Sequence, residues 1–168
     1  MDPTRETIDY IAVSRLHAAY ADIATRRAWA ELDEIFVPEI PVTLDLRDRD
    51  TYEFEGRDAF KEFVSAAVDR FEFFEFVILN SRVYLEHEGD PDTAVARMYM
   101  SELRQDHAER RWSAVYGVYH DRFRRIDGRW WYASRNYSSL ARPAHDVESF
   151  PFPAGDPFRP GRSGISSP

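Results

Sequence analysis

The chain has 168 residues, 43% hydrophobic and 15% aromatic, which suits one domain with a substantial core. It contains no cysteine, which excludes disulfides, thiolate zinc sites and cysteine nucleophiles. Its formal net charge of -8 argues against a general nucleic-acid binder, because affinity for phosphate comes mainly from clustered Lys and Arg.

No targeting or membrane-spanning segment is evident in the sequence. The opening stretch MDPTRETIDY has no basic region followed by an apolar run. No window approaches the ~20 apolar residues that a membrane helix needs. We therefore expect a soluble cytoplasmic protein with neither a membrane nor a nucleic acid as partner.

The chain begins with a predicted helix. Asp2 can cap it, and Pro3 suits its first position, where the missing N–H of proline has no cost. His17 lies at the edge of the apolar stripe, and a second short helix is predicted from about 28 to 36. The stripe recurs at helical spacing and predicts the buried face: Ile8, Ile11, Ala12, Leu16, Ala19, Tyr20 and Ile23.

From Val42 onward the apolar residues alternate, which is typical of strands. The stretch VTLDLRDRDTYEFEG predicts a short hairpin, and an amphipathic helix follows over about 58–70. A buried strand is then predicted from near Phe76 to His87, and a turn at 89–92 leads into the strand TAVARMYMSEL.

The stretch from Trp112 to Tyr137 predicts a long aromatic hairpin that turns at Asp127 and Gly128. Helices thus precede long strands. This order predicts an α+β fold, in which a curved antiparallel sheet forms a cone around a long N-terminal helix and two further helices. The mouth of such a cone is a usual place for a small apolar ligand.

The pairing within the hairpin decides what Asp121 faces, and the sequence allows two registers. A strict two-residue turn places Asp121 opposite Ser134 and favours a pocket in which burial raises the pKa of the carboxyl group. A bulge at Gly128 would instead bring Arg135 to Asp121 and make the aspartate structural. In the first register one face holds the candidate pocket residues Tyr119, Asp121, Phe123, Tyr132, Ser134 and Asn136.

The opposite face of the hairpin is too aromatic for plain exposure to water. It carries Tyr116, Trp131 and Tyr137, with Tyr99 from the preceding strand. Aromatic residues are enriched at protein interfaces, so we expect a homodimer through this outer sheet face. A covering C-terminal segment is the alternative.

The C-terminal residues 141–168 form a tail rich in Pro, Gly and Ser, separate from a domain over 1–140. Its phenylalanines, Phe150, Phe152 and Phe158, allow it to cover the sheet or the pocket mouth. Disorder of the whole tail is the alternative.

Four stretches together resemble the SnoaL-like branch of the nuclear transport factor 2-like superfamily: LHAAYADIATRRAWAELDEIF, PVTLDL, VILNSRVYL and YHDRFRRIDGRWWYASRNY. The resemblance spans about 8–137 and implies the cone fold. The superfamily includes polyketide cyclases, scytalone dehydratase, ketosteroid isomerase and limonene epoxide hydrolase, together with non-catalytic members. Fold alone therefore does not give an activity.

The resemblance implies roles for particular residues. Tyr20 corresponds to the oxyanion-donating tyrosine of ketosteroid isomerase, and Asp121 to its hairpin aspartate. Asp45 lies within one residue of the isomerase base, and His17, one turn before Tyr20, can reach the same cavity as a base. The alternative for Tyr20 is a core tyrosine, and for His17 a histidine facing water.

Other positions depart from the family patterns. Thr25 stands where many SnoaL-like proteins have an acid. Asn80, Met98 and Met100 are predicted to line the pocket, but the methionines replace the polar residues on which the dehydratase and epoxide hydrolase mechanisms depend. The sequence therefore argues against both of those mechanisms.

Two functions remain open from the sequence. The first is a cofactor-independent isomerase, cyclase or dehydratase that acts on a small hydrophobic, oxygenated substrate by acid–base chemistry and oxyanion stabilisation. The second is a non-catalytic binding or assembly protein, such as a dioxygenase small subunit. No metal-ligand cluster or Gly-rich phosphate loop is present in the sequence, so we expect no metal and no cofactor.

Overall fold

The structure is a computed structural model that describes residues 2–143 and 147–149. Its helical elements are the α-helices α1 (Pro3–Arg26) and α2 (Arg57–Asp69) and two short 3-10 helices (Trp29–Glu34 and His87–Gly89). The strands are β1 (Pro41–Asp45), β2 (Tyr52–Glu55), β3 (Phe71–Leu85), β4 (Thr93–Asp106), β5 (Trp112–Ile126), β6 (Arg129–Pro143) and β7 (Val147–Ser149).

The strands form one sheet in the order β2-β1-β6-β5-β4-β3, and β7 pairs with the end of β6. Neighbouring strands are antiparallel except β1 and β6, which run parallel. Register shifts in β3 and β6 bend the sheet, since a bulge increases local twist. The curved sheet packs on α1, chiefly through β3. This confirms the predicted α+β cone.

Helix α1 begins where the sequence predicts. The side chain of Asp2 accepts a hydrogen bond of 3.3 Å from the backbone N–H of Arg5, and Pro3 is the first helical residue. The helix ends at Arg26, and its C-cap residue Arg27 has a left-handed φ of 59°. The local capping signals therefore mark where the helix begins.

The buried face of α1 differs from the predicted stripe. Ile8 and Ile11 are exposed, whereas Asp9 and His17 are buried. Asp9 accepts a hydrogen bond of 3.0 Å from the indole N–H of Trp130. Contacts with the hairpin, rather than hydrophobicity alone, therefore set the rotation of the helix.

Two further boundaries differ from prediction. The second helix is a 3-10 helix over Trp29–Glu34, and β3 begins at Phe71 rather than near Phe76. Phe71, Phe74 and Phe76 are all buried. Aromatic side chains favour strands, so the strand starts as soon as α2 has ended.

The predicted turn of the long hairpin is confirmed. Ile126 pairs with Arg129, and the two turn residues have positive φ, 50° at Asp127 and 80° at Gly128. Such angles are those of a two-residue hairpin turn that matches the twist of the strands. The pairing of Phe123 with Tyr132 is also confirmed.

Beyond Phe123 the strict two-residue register is wrong. Phe123 pairs with Tyr132 but Arg122 pairs with Ser134, so Ala133 is an extra residue in β6. This bulge, and not one at Gly128, brings Arg135 opposite Asp121. Because one extra residue reverses the alternation of faces, Arg135 points into the cone where the strict register had Ser134.

The predicted outer-face patch needs a correction for the same reason. Tyr137 is buried inside the cone and pairs with Tyr119, so it cannot belong to the outer face. Tyr116 is exposed, and Tyr99 and Trp131 are half-buried. A homodimer through this face stays a prediction.

The C-terminal tail is described only in part. Strand β6 continues through 141–143, and β7 adds a short antiparallel partner to it. The covering role predicted for Phe150, Phe152 and Phe158 lies outside the described residues.

None of the helices in the described part of the chain has the length and apolar character needed to cross a membrane.

Candidate functional site

A buried ion pair occupies the interior of the cone. Asp121 on β5 and Arg135 on β6 are both 0% exposed. Arg135 Nε donates to Asp121 Oδ1 at 3.0 Å, and Nη2 donates to Oδ2 at 3.3 Å. A two-bond contact of this kind fixes the plane of the guanidinium as well as its position.

His17 extends this pair toward β3. Its Nε2 lies 3.7 Å from Asp121 Oδ2, too far for a hydrogen bond, and its Nδ1 lies 2.8 Å from the hydroxyl oxygen of Ser81. His17 therefore lies in the core, and not at the border of the apolar stripe as predicted. We refer to Asp121, Arg135 and His17 as the buried charge cluster.

Burial controls the protonation of this cluster. It lowers the pKa of His17 to about 3, with the charge of Arg135 as a second cause, so the ring is neutral near pH 7. Burial also raises the pKa of Asp121 to about 6, although Arg135 opposes the shift. Asp121 is thus ionised at neutral pH and is matched by the positive charge of Arg135.

Two tyrosines enclose the guanidinium of Arg135. Its Cζ atom lies 3.7 Å from the ring centroid of Tyr20 and 3.8 Å from that of Tyr119. A cation between two aromatic faces is stabilised by the ring quadrupoles. For Tyr20 burial raises the pKa and Arg135 opposes it. Burial raises the pKa of Tyr119 as well, so both hydroxyl groups remain protonated and able to donate.

The same two tyrosines form part of the wall of a cavity of about 280 Å³. The cavity lies between α1, α2 and the inner face of the sheet. Glu102 and Arg104 of β4 bring charge to its wall, and Arg104 Nε donates to Glu102 Oε2 at 2.9 Å. The rest of the wall is largely aromatic and includes Trp29, Phe60, Phe63, Phe74, Phe76 and Tyr137.

The four predicted catalytic residues do not meet in this cavity. Tyr20 lines it, whereas Asp121 and His17 belong to the buried charge cluster and are absent from its wall. Asp45 is half-buried on β1 and accepts a hydrogen bond of 2.9 Å from the backbone N–H of Arg47. Tyr20, Asp121 and Asp45 thus do not line one common cavity.

The predicted substrate-binding residues are also divided. Tyr119 lines the cavity. Asn80 and Asn136 are exposed and Ser134 is half-buried, away from the cavity wall. The remaining four are core residues with at most 1% exposure that do not line the cavity: Met98, Met100, Phe123 and Tyr132.

The sequence contained a signal for the two charged residues of β4 that prediction missed. Met98 and Met100 face the interior, so alternation along the strand places Glu102 and Arg104 on the same face. The guanidiniums of Arg49, Arg70 and Arg142 had no such signal, because they come from loops and a strand end that only the fold brings together.

No group of three or more His, Cys, Asp or Glu side chains within residues 2–143 and 147–149 is arranged to hold a metal ion. The polar groups of the cavity wall include tyrosine hydroxyls, the carboxylate of Glu102 and guanidiniums.

Tyr137 is held in the cavity wall by its contact with Gly117. A methyl group added at Gly117 would overlap the ring and lie 2.6 Å from Cζ and Oη of Tyr137. Overpacking of this kind typically costs about 1–3 kcal/mol, so we expect Gly117→Ala to lower the free energy of unfolding by that amount in urea titrations. Adding Tyr137→Leu should restore most of the loss. A loss below about 0.5 kcal/mol for the single variant would contradict the contact.

Several solved structures are similar to this fold. The hexachlorocyclohexane dehydrochlorinase LinA-type3 from Novosphingobium barchaimii is 17% identical, with a TM-score of 0.71 over 83% of this chain and 92% of that chain. A proposed scytalone dehydratase from Novosphingobium aromaticivorans is 20% identical, with a TM-score of 0.71 over 96% and 99% of the two chains.

A nuclear transport factor 2-like protein with a cystatin-like fold, also from Novosphingobium aromaticivorans, is 20% identical, with a TM-score of 0.65 over 82% of this chain and 85% of that chain. A comparison with curated proteins finds no match. The model of the SnoaL-like domain family matches residues 5–136. The chain therefore belongs to the SnoaL-like domain family, as its resemblance in sequence implies.

Proposed function

We propose that this protein is a cofactor-independent enzyme that moves a proton on a small, largely apolar, oxygenated substrate, as an isomerase, cyclase or lyase does. The observation that carries the proposal is the pair Tyr20 and Tyr119, which lines the cavity and encloses the buried guanidinium of Arg135. Two of the similar structures are named for eliminations, a dehydrochlorinase and a dehydratase, which agrees with this class of reaction.

The tyrosine pair supplies the oxyanion stabilisation. When a proton leaves the carbon next to a carbonyl group, negative charge develops on the carbonyl oxygen. A fixed hydroxyl donor in a water-poor cavity stabilises that charge more strongly than water does. The positive charge of Arg135 behind both rings opposes the rise in the pKa of Tyr20 that burial causes, and so keeps its hydroxyl a better donor.

Glu102 is the candidate general base in this scheme. Among the described residues it contributes the one carboxylate in the cavity wall, with a side chain 16% exposed. Its hydrogen bond from Arg104 holds the carboxylate in place. A carboxylate within reach of a bound substrate can accept the proton and return it to another carbon or to the leaving group.

Asp121 and His17 act through Arg135 in this proposal, as positioning residues. The carboxylate of Asp121 fixes the guanidinium by two hydrogen bonds, and His17 packs beside it without charge. Asp45 has no part, because Arg47 binds it and it lies outside the cavity wall.

The alternative is a binding protein that holds a ligand without transforming it. The sealing of Asp121 beneath the tyrosines favours this alternative, because the predicted catalytic acid does not reach the cavity. The two functions differ in whether the cavity abstracts a proton from a bound ketone.

Exchange of carbon-bound hydrogen tests the proposal without knowledge of the natural substrate. 2-Tetralone, an apolar ketone with acidic hydrogens next to its carbonyl group, is incubated with the protein in D2O, and deuterium uptake is followed by NMR. We expect exchange above the buffer rate, and a loss of at least about 100-fold in the enzymatic rate for Glu102→Gln.

Glu53→Gln is the matched control, since Glu53 is exposed on β2 and outside the cavity wall. It should keep the full rate of exchange. Binding of 2-tetralone without any enzymatic exchange would overturn the enzyme and favour the binding protein. Exchange that survives Glu102→Gln unchanged would remove Glu102 from the mechanism.

A further inference from the structure

We infer that the cavity takes an organic anion, an aromatic or similarly apolar body with a carboxylate that guanidinium groups hold at the cavity mouth. This deepens the proposed function by naming a class of substrate, and it rests on that proposal only in taking the cavity as the substrate site.

The charge of the cavity wall is opposite to that of the chain. The whole protein has a formal net charge of -8. Among the described residues, the wall nevertheless contains one carboxylate, that of Glu102, and four arginines: Arg49, Arg70, Arg104 and Arg142. A concave surface with an excess of one charge concentrates ligands of the opposite charge.

The acidic partners of these arginines do not neutralise them all. Glu102 pairs with Arg104. Arg49 and Arg142 share one carboxylate, that of Asp48, at 2.9 and 3.2 Å. Arg70 has no carboxylate partner in the part of the chain that the structure describes.

Arg70 lies close enough to the other arginines of the wall to be affected by their charge. Partial burial lowers its pKa, the positive charges of Arg104, Arg49 and Arg142 lower it further, and the carboxylate of Glu102 opposes these shifts. This mutual repulsion raises the free energy of the empty site. An anion placed among the four groups would relieve the repulsion, which gives the site a physical reason to bind one.

The guanidiniums of Arg70 and Arg104 both lie against the ring of Phe71. The Cζ atoms of Arg70 and Arg104 lie 4.8 and 5.1 Å from the centroid of its ring. Planar guanidiniums bind carboxylates through pairs of parallel N–H bonds, so Arg70 can hold the carboxylate of a ligand beside this ring. The ring of Phe71 also lines the cavity and leads into its aromatic interior.

The interior determines the rest of the ligand. Its walls are aromatic, and its volume of about 280 Å³ lies just below the roughly 300–1,000 Å³ that small-molecule sites span. A compact aromatic body would stack against these rings while its carboxylate remains at the mouth.

Binding of charged and neutral probes of one shape tests the inference. Dissociation constants of the full chain are measured by calorimetry for 2-naphthoate and for 2-naphthamide, its neutral analogue. We expect naphthoate to bind at least about 10-fold more tightly than the amide, and the preference to shrink as salt is raised. Arg70→Gln should reduce the preference several-fold, and Arg70→Lys should retain part of it.

Arg15→Gln is the matched control, because Arg15 is exposed on α1 and outside the cavity wall. It should leave both constants unchanged. Should Arg70→Gln fail to fold, Arg142→Gln gives the same test. Equal affinity for the two probes, no binding of either, or a preference that survives both arginine variants would overturn the inference.

The two proposals fail separately. The naphthoate experiment measures binding with no turnover, so loss of the deuterium exchange would leave its result standing. Conversely, the protein could exchange the hydrogens of uncharged 2-tetralone but show no preference for naphthoate. That result would support the proposed enzymatic function and reject an anionic substrate.

Discussion

Replacing Arg135 with methionine is expected to lower the free energy of unfolding by about 3–5 kcal/mol, the usual cost of leaving one partner of a buried ion pair alone. Asp121 would then be a carboxylate with 0% exposure and no cation. Its two hydrogen bonds from Arg135, at 3.0 and 3.3 Å, would have no replacement. Urea unfolding followed by tryptophan fluorescence measures the loss.

The double variant Asp121→Leu/Arg135→Met distinguishes the cost of an unpaired buried charge from the cost of lost packing. It removes both charges and fills the space with apolar groups, so it should recover most of the stability, as apolar replacement of buried pairs often does. Arg26→Met is the surface control, because its pairs with Asp22 and Glu31 are open to water, and its effect should be much smaller. A loss below about 1 kcal/mol for Arg135→Met would show that Asp121 is not buried as an anion.

Acidification is expected to destabilise the protein through His17. Its ordinary pKa of 6.5 is lowered to about 3 in the folded chain, first by burial and then by the charge of Arg135. Between pH 6.5 and about 3, His17 is protonated in the unfolded chain but stays neutral in the folded chain. The contribution of His17 is therefore complete above pH 6.5 and is lost as the pH falls toward 3, in total on the order of 5 kcal/mol at about 1.4 kcal/mol per pKa unit.

The titration of Asp121 changes stability with pH in the opposite direction to that of His17. Burial raises its pKa from 3.8 to about 6, so between these values the folded chain binds the extra proton. Its contribution to stability falls as the pH rises through this window, which offsets part of the effect of His17.

Comparison of variants isolates the histidine. The free energy of unfolding of His17→Gln should depend less steeply on pH between 6.5 and 3 than that of the original chain, whatever its value at pH 7. His107→Gln is the control, because His107 is an exposed histidine and should leave the slope as it is. Identical slopes for the original chain and His17→Gln would mean that His17 is not held neutral in the core.

Local signals in the sequence were sufficient for the order of the elements and for several of their ends. Asp2 and Pro3 start α1 as predicted, and Asp127 and Gly128 form the turn of the long hairpin. These features depend on neighbours a few residues away, where capping and turn geometry act. The family resemblance over about 8–137 agrees with the family match over 5–136.

Only long-range packing could decide the site. A single extra residue at Ala133 turned Arg135 inward to Asp121, and no local signal marks that bulge because the pairing of two whole strands determines it. Likewise His17 became part of the core, since its place depends on Ser81 and Asp121, far away in the chain.

The sequence was thus sufficient to predict the long aromatic hairpin and the position of Asp121 on it. It was not sufficient to predict that Arg135 pairs with Asp121. The cavity shows the same division. Alternation from Met100 along β4 could have given Glu102 and Arg104, but Arg49, Arg70 and Arg142 meet only where separate parts of the chain are folded against one another. The net charge around a cavity comes from residues distant in sequence, and the tertiary structure determines which charged side chains meet there.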